Sequence, residues 1–185
     1  MTYALATDFA LIERALIAWA KATTGLPVIW AKQIAGRPHT PYLTLRITSD
    51  GRNEGQDSEQ MEYNTTTGKL DTVTYGPRMM TVELTGYSET QSAAGQAGAR
   101  QYVLQAVAGL RASRIYGEIL RPSGLGFLKQ LSDVLDIGEQ LGDRWEARFQ
   151  VDLEFGYTLA FTDKSTAEEG TTYIETVQPT VMIYP

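Results

Sequence analysis

The sequence predicts an α+β fold: a mixed or antiparallel β-sheet with a long β-hairpin, packed against two main α-helices. Three patterns predict it. Leu5, Phe9, Ile12, Leu16 and Trp19 recur at spacings of four and three, one face of a helix with 3.6 residues per turn. Val103, Ala106, Val107 and Leu110 form a second helical stripe. Every odd position from Trp145 to Phe161 is apolar, while Glu146, Arg148, Gln150, Asp152 and Glu154 alternate with them, the period of a strand.

The first helix is expected from about Asp8 to Thr23. Asp8 and Lys21 lie at the ends that the helix dipole favours, and Gly25 and Pro27 stop it. Val28 to Lys32 reads as a short strand. Leu43, Leu45 and Ile47 alternate with polar neighbours in another. Ser49 to Gln60 contains Gly51, Gly55 and four acids, and reads as an exposed loop or hairpin tip. Leu70 to Tyr75 and Met79 to Thr85 read as two strands parted by Gly76-Pro77. Ser88 and Gln91 have capping-box spacing and predict the start of the second helix. Its first half, Ser92 to Ala99, is almost entirely small. Gly95 and Gly98 there each cost about 1 kcal/mol relative to alanine, which implies close backbone packing as the offset.

Leu125 to Ile137 alternates with a break at Ser132-Asp133, and Gly138 to Gly142 is expected to turn it into the 144–161 strand. At ~3.3 Å per residue that strand would extend about 55 Å, far beyond the usual five or six residues. Residues 1–161 read as one domain. Residues 162–185 read as a C-terminal extension or arm carrying Tyr173, Ile174, Val177, Val181 and Ile183, with Pro179 limiting it to an edge.

Composition removes many functions. The 185 residues are 43% apolar and 21% charged, enough for a sizeable core. Sixteen bases against 22 acids give a net charge of −6, which disfavours broad nucleic-acid binding. There is no cysteine, so disulfides and thiolate sites are excluded, and one histidine, His39, cannot build a multi-histidine metal site. The N-terminus lacks a basic start and carries Asp8 and Glu13, so no signal peptide is expected. No apolar run reaches the roughly 20 residues of a membrane span. A soluble protein made in a cytoplasm is expected.

No catalytic, cofactor or metal residue emerges. Gly124-Leu-Gly126 lacks the third glycine of a dinucleotide fingerprint, and Gly68-Lys69 lacks its phosphate-loop context. The calcium-loop look of Asp50 to Gly55 fails at Arg52 and Met61. His39 reads as an exposed turn residue, and Asn64-Thr-Thr66 has no secretory context. Trp19 and Trp145 read as core; Trp30 and Tyr42 suit core or interface. Arg46, Arg144 and Arg148 read as solvated or ion-paired. Charge comes in alternating blocks. Residues 49–75 hold two bases and six acids, whereas residues 76–121 hold five bases and three acids. Such blocks suit either solvated faces or head-to-tail contact between copies.

The order of elements resembles the tail-terminator, or neck, proteins of tailed bacteriophages. The resemblance rests on the Leu11–Trp19 helix running into Gly25-Leu-Pro-Val28, and on Pro41-Tyr-Leu-Thr-Leu45. It continues in Met80 to Tyr87 followed by a small-residue helix, and in Asp143 to Phe149 with its alternating strand. It covers about residues 8–161. It implies a structural virion protein, not an enzyme, in a ring of usually six subunits on the head-proximal end of a tail. The ring would stop tube polymerisation and meet the tube, a sheath if the tail is contractile, and a head-completion or connector protein. DNA would pass through the lumen unread. The resemblance places the protein in the virion tail or neck, assembled in the host cytoplasm, with no cofactor and no membrane.

The contacts with sibling subunits and the tail are expected on the Leu125–Phe161 hairpin, the Ser49–Gln60 loop and the Tyr173–Pro185 arm. Trp145, Phe155, Tyr157, Tyr173 and Ile183 are the expected apolar anchors, and Asp50, Glu54 and Asp57 the charged ones. A head–tail connector, tube or baseplate component is an alternative, as is a small-molecule-binding α+β domain. An unpaired edge strand invites aggregation, and a ring would cover it.

Overall fold

The computed structural model describes residues 2–5, 7–32, 36–66, 68–89, 98–141 and 144–164. The first helix, α1 (Phe9–Thr24), forms where its apolar face predicts. Asp8 caps it: its Oδ1 accepts the Leu11 N–H at 3.0 Å. Gly25, at φ 73°, ends it and donates its N–H to the Lys21 carbonyl. Leu5 does not belong to that face. It ends strand β1 (Thr2–Leu5), because the Asp8 cap fixes the helix start beyond it.

Strands β2 (Val28–Trp30), β3 (Tyr42–Asn53), β4 (Ser58–Asn64) and β5 (Lys69–Ser88) follow. After the second helix, α2 (Ala99–Gly109), a run of short helical turns from Ser113 to Ser123 leads to β6 (Gly126–Gln130). The short strands β7 (Leu135–Asp136) and β8 (Glu139–Leu141) precede β9 (Arg144–Lys164). The spine is the antiparallel pair β5–β9, in unbroken register from Thr72 opposite Asp163 to Ser88 opposite Ala147. Along the outer edge of β5 run β3 and then β4; along the outer edge of β9 run β8, β7, β6 and β1. Among the described strands only β2 is parallel to its neighbour, β3, so the sheet is mixed.

Four expectations are corrected. The segment from Ser49 to Gln60 is not a free loop: β3 runs into it, and β4 pairs with β5 out of it. Gly76-Pro77 does not split β5. The Pro77 carbonyl accepts the Glu54 N–H, so its nitrogen points into the gap between β3 and β4, where no ladder needs a donor. The Ser88–Gln91 box does not start α2, which begins at Ala99 because β5 runs through Ser88. Ser88 serves the helix from a distance instead: its hydroxyl accepts the Ala99 N–H at 3.2 Å. The hairpin turn expected at Gly138–Gly142 shifts, since Glu139–Leu141 is strand β8. The small-residue stretch 92–97 lies outside the described residues.

Both helices cover one face of the spine, the face of Val82, Leu84, Val151, Leu153 and Phe155. Trp19 is fully buried. Its Nε1–H donates to the Ala106 carbonyl at 3.1 Å and its ring lies 5.8 Å from that of Phe155. One residue thus ties α1 to α2 and to the sheet. Two glycines let the layers meet. A Cβ on Gly109 would lie 2.2 Å from Thr23 Cγ2, and one on Gly86 would lie 2.9 Å from Val103 Cγ2 and 3.0 Å from the Ala99 carbonyl. Gly95, for which close packing was expected, lies outside the described residues, and Gly98 stands at the N-cap of α2.

Gly86→Ala and Gly109→Ala are each expected to lower stability by about 1–3 kcal/mol through overpacking. Urea denaturation checks this, with Gly117→Ala as the neutral control because nothing lies within 4 Å of its Cβ position. Unchanged midpoints would show that the layers tolerate wider spacing.

Candidate functional site

The helices do not cover the whole spine. Sixteen residues of α1 span about 24 Å, whereas twenty residues of β5 span about 66 Å. The cover ends where Phe9 meets Tyr157 edge-on, their ring centroids 5.8 Å apart. Beyond it β4, the start of β5 and the end of β9 form a blade with no helix over it among the described residues. Directly opposed residues share a face of a sheet. Tyr63 opposes Leu70, Met61 opposes Thr72, and Thr74 opposes both Glu59 and Phe161. Met61, Tyr63, Leu70 and Phe161 therefore extend the same face that the helices bury further along. All four are exposed, Met61 at 75% and Tyr63 at 65%.

A bulge at the base of the blade sorts its charges. Between Ser49 and Arg52 the β3 register slips around Gly51, which adopts φ 75°. Asp50 is thereby aimed at the helix-covered face and Arg52 at the other. Tyr157 donates its hydroxyl to Asp50 Oδ1 at 2.7 Å. Burial, with that hydrogen bond second, raises the Tyr157 hydroxyl to about 12. On the opposite face Arg52 Nη2 lies 2.5 Å from Glu154 Oε1, and Lys129 Nζ lies 3.3 Å from Oε2. Glu154 is 1% exposed although no helix lies over it; the two long basic side chains shield it.

Asp57 closes the gap between β3 and β4. Its carboxylate takes two hydrogen bonds from Arg78, at 2.7 and 2.8 Å, and these hold it below its usual pKa. Gly76 lies beneath the pair, and a Cβ there would stand 2.1 Å from Asp57 Oδ1. Glu54 is exposed and lines a groove of about 490 Å³ with Arg121 and Tyr116.

The edge β6–β7–β8 is the second exposed apolar region, with Leu128, Leu131, Leu135, Ile137 and Leu141. Trp145, expected in the core, is 48% exposed there and packs over Gly138, whose Cβ would be 3.0 Å from its ring. It lies past the end of the helix layer, so nothing among the described residues covers it fully. Tyr42 stacks on Tyr87 at 4.6 Å, and Arg148 lies over Tyr87 while pairing with Glu139 and Glu146 at 2.6 Å. Arg46 pairs with Glu83.

Of the residues expected to make contacts, Trp145 and Glu54 are thus exposed. Asp50 and Asp57 are engaged inside the subunit. Phe155 and Tyr157 are not anchors at the surface: at 0% and 6% exposure they sit in the core, because the helices reach that far along β9. Tyr173 and Ile183 lie outside the described residues. Sequence reasoning missed Met61, Tyr63 and Leu70; the alternate spacing of Met61 and Tyr63 was their only signal. Among the described residues, no cluster of His, Asp or Glu is arranged to hold a metal, and no helix is long and apolar enough to cross a membrane.

The profile of a family described as phage neck terminator protein matches residues 10–184. No curated protein sequence matches the chain. Among solved structures, the fold is similar to the sheath/tube terminator of the PVC extracellular contractile injection system in its extended state. The TM-score is 0.54 at 12% identity, covering 96% of this chain and 64% of that one. A weaker likeness, TM-score 0.40 at 15% identity over 92% of this chain and 60% of the other, is to the tube-terminating cap of the anti-feeding prophage. The chain therefore spans less than two thirds of the length of either.

The raised Tyr157 fixes a pH dependence. A pKa raised on folding contributes stability that is complete below the ordinary value of 10.0 and is lost as the pH climbs through about 12. Denaturation between pH 9.5 and about 12.5 is expected to show that loss in the wild type, and a smaller one in Tyr157→Phe. Equal slopes in the two would show that Tyr157 keeps an ordinary pKa.

Proposed function

This chain belongs to the phage neck terminator family, and from that premise we propose that it closes the head-proximal end of a tail tube as a ring of identical subunits, a hexamer. The role is structural and tail-terminating. The observation that carries the ring is the blade, an apolar sheet face that outruns its own helices. A solitary subunit would leave that face wet; neighbouring copies in a closed ring would bury it, and the edge β6–β7–β8 as well.

The ring would seat on the tube and, in a contractile tail, on the sheath, a reading supported by the likeness to a sheath/tube terminator. Its other face would receive a head-completion protein, and DNA would pass through the lumen unread. The contact residues in this reading are Trp145, Glu54 and the blade, together with Tyr173 and Ile183 from an arm over residues 162–185 that extends a domain of residues 1–161. Asp50, Asp57, Phe155 and Tyr157 then act indirectly, by holding the blade at its angle. No reaction is assigned to the protein; it works by shape, as a component of the virion.

The test is native mass spectrometry and negative-stain microscopy of the purified chain, alone and with its tube subunits. Closed rings and tubes shortened in proportion to added protein are expected. A monomer under all these conditions, or copies incorporated along the whole tube, would overturn the reading in favour of another tail component.

A further inference from the structure

The blade's apolar face and the end of the described chain lie together. Met61, Tyr63, Leu70 and Phe161 are exposed on that face, an apolar patch of the kind that marks a contact site. Asp163 opposes Thr72 and so shares the face; its Oδ1 is buried without a hydrogen-bond partner among the described residues. Strand β9 runs outward along the blade to Lys164, and β5 reaches only three residues beyond Thr72, to Lys69. The chain therefore leaves the blade at its outer end, directed away from its own helices, with residues 165–185 still to follow.

Those residues divide in two. Ser165 to Thr172 holds one apolar residue, Ala167, and two acids, a polar connection that spans at most about 28 Å. From Tyr173 to Tyr184 seven of the twelve residues are apolar, and only Glu175 is charged. Extended, the twelve span about 40 Å, against about 23 Å for the stretch of β5 from Lys69 to Tyr75 that forms the blade. Pro179 bars the segment from the interior of a sheet but not from lying across a face. The family likeness runs through it to residue 184. We propose that residues 173–184 of one copy lie across the apolar face of the blade of the next, covering Met61, Tyr63 and Leu70 and bringing a backbone N–H to Asp163 Oδ1. The recipient is a second copy because the chain exits outward, and because sheets packed face to face lie only ~10 Å apart, well inside the reach of the polar connection. Each copy then gives one segment and receives one, a heterologous exchange that closes around a circle. The inference rests on the ring reading and names what buries the blade within it.

The chain has no cysteine, so single introduced thiols report the contact. Full-length Met61→Cys and Val181→Cys proteins are mixed in equal amounts, allowed to assemble and mildly oxidised. Covalent dimers with one chain of each kind are expected to exceed dimers of either variant with itself by at least about tenfold, since docked thiols react at an effective concentration that free collision does not reach. Tyr63→Cys with Ile183→Cys repeats the measurement in a second register. Met61 and Tyr63 are exposed, so melting temperatures of their variants should match the wild type. Cross-linking inside a single chain that carries both Met61→Cys and Val181→Cys, without mixed dimers, would show each segment covering its own blade and overturn the proposal. Met61→Cys dimers in equal yield to the mixed ones would show blade meeting blade and overturn it as well. No mixed dimer from either pair, in closed rings seen by native mass spectrometry, would overturn the contact and leave the ring in place. A monomeric wild type would overturn the contact and the ring together.

Discussion

The unbroken pairing of β5 with β9 is the constraint on which the rest of the molecule depends. Seventeen successive positions oppose each other without a slip. A ladder so long fixes which side chains share a face from one end of the molecule to the other. It also exceeds what two helices of ordinary length can cover. The fold thus has a closed half, with a core, and an open half that presents the same apolar face to solvent.

Keeping such a ladder straight through Gly76 and Pro77 requires local solutions, and each involves a side chain with a defined partner. Pro77 sits at the one stretch of β5 that lacks a strand on its nitrogen side. Arg78 and Asp57 bridge that gap, and Gly76 gives them room. The bulge at Gly51 sends Asp50 to Tyr157 and Arg52 to Glu154. A buried carboxylate with two cations around it adds little net stability, but removing either cation would strand a charge. These groups specify the geometry of the blade more than they stabilise it.

Such an architecture suits a building block better than a solitary domain. The family likeness spans nearly the whole chain. The exposed apolar regions, Met61 and Tyr63 on β4 and Trp145 beside β8, lie at opposite ends of the spine. Rigid separation is what a repeating contact requires, since the angle between the two contact surfaces decides how many copies close a circle.

Sequence alone determined the elements whose signals are local. Asp8, Gly25 and the spacing from Phe9 to Trp19 define α1, and strict alternation from Trp145 to Phe161 defines β9, because caps and periodicity act over a few residues. The charge blocks were legible for the same reason. Only the tertiary structure decided which apolar residues are buried. Phe155 and Trp145 share one strand face and one pattern, yet the first lies under Trp19 and the second lies past the end of the helices. Likewise Gly76-Pro77 reads as a break until its place between β3 and β4 is known, and Ser88 reads as a neighbouring cap until β5 is seen to run through it. Burial and cover depend on where a second layer stops, and that length is set by packing between segments far apart in the chain.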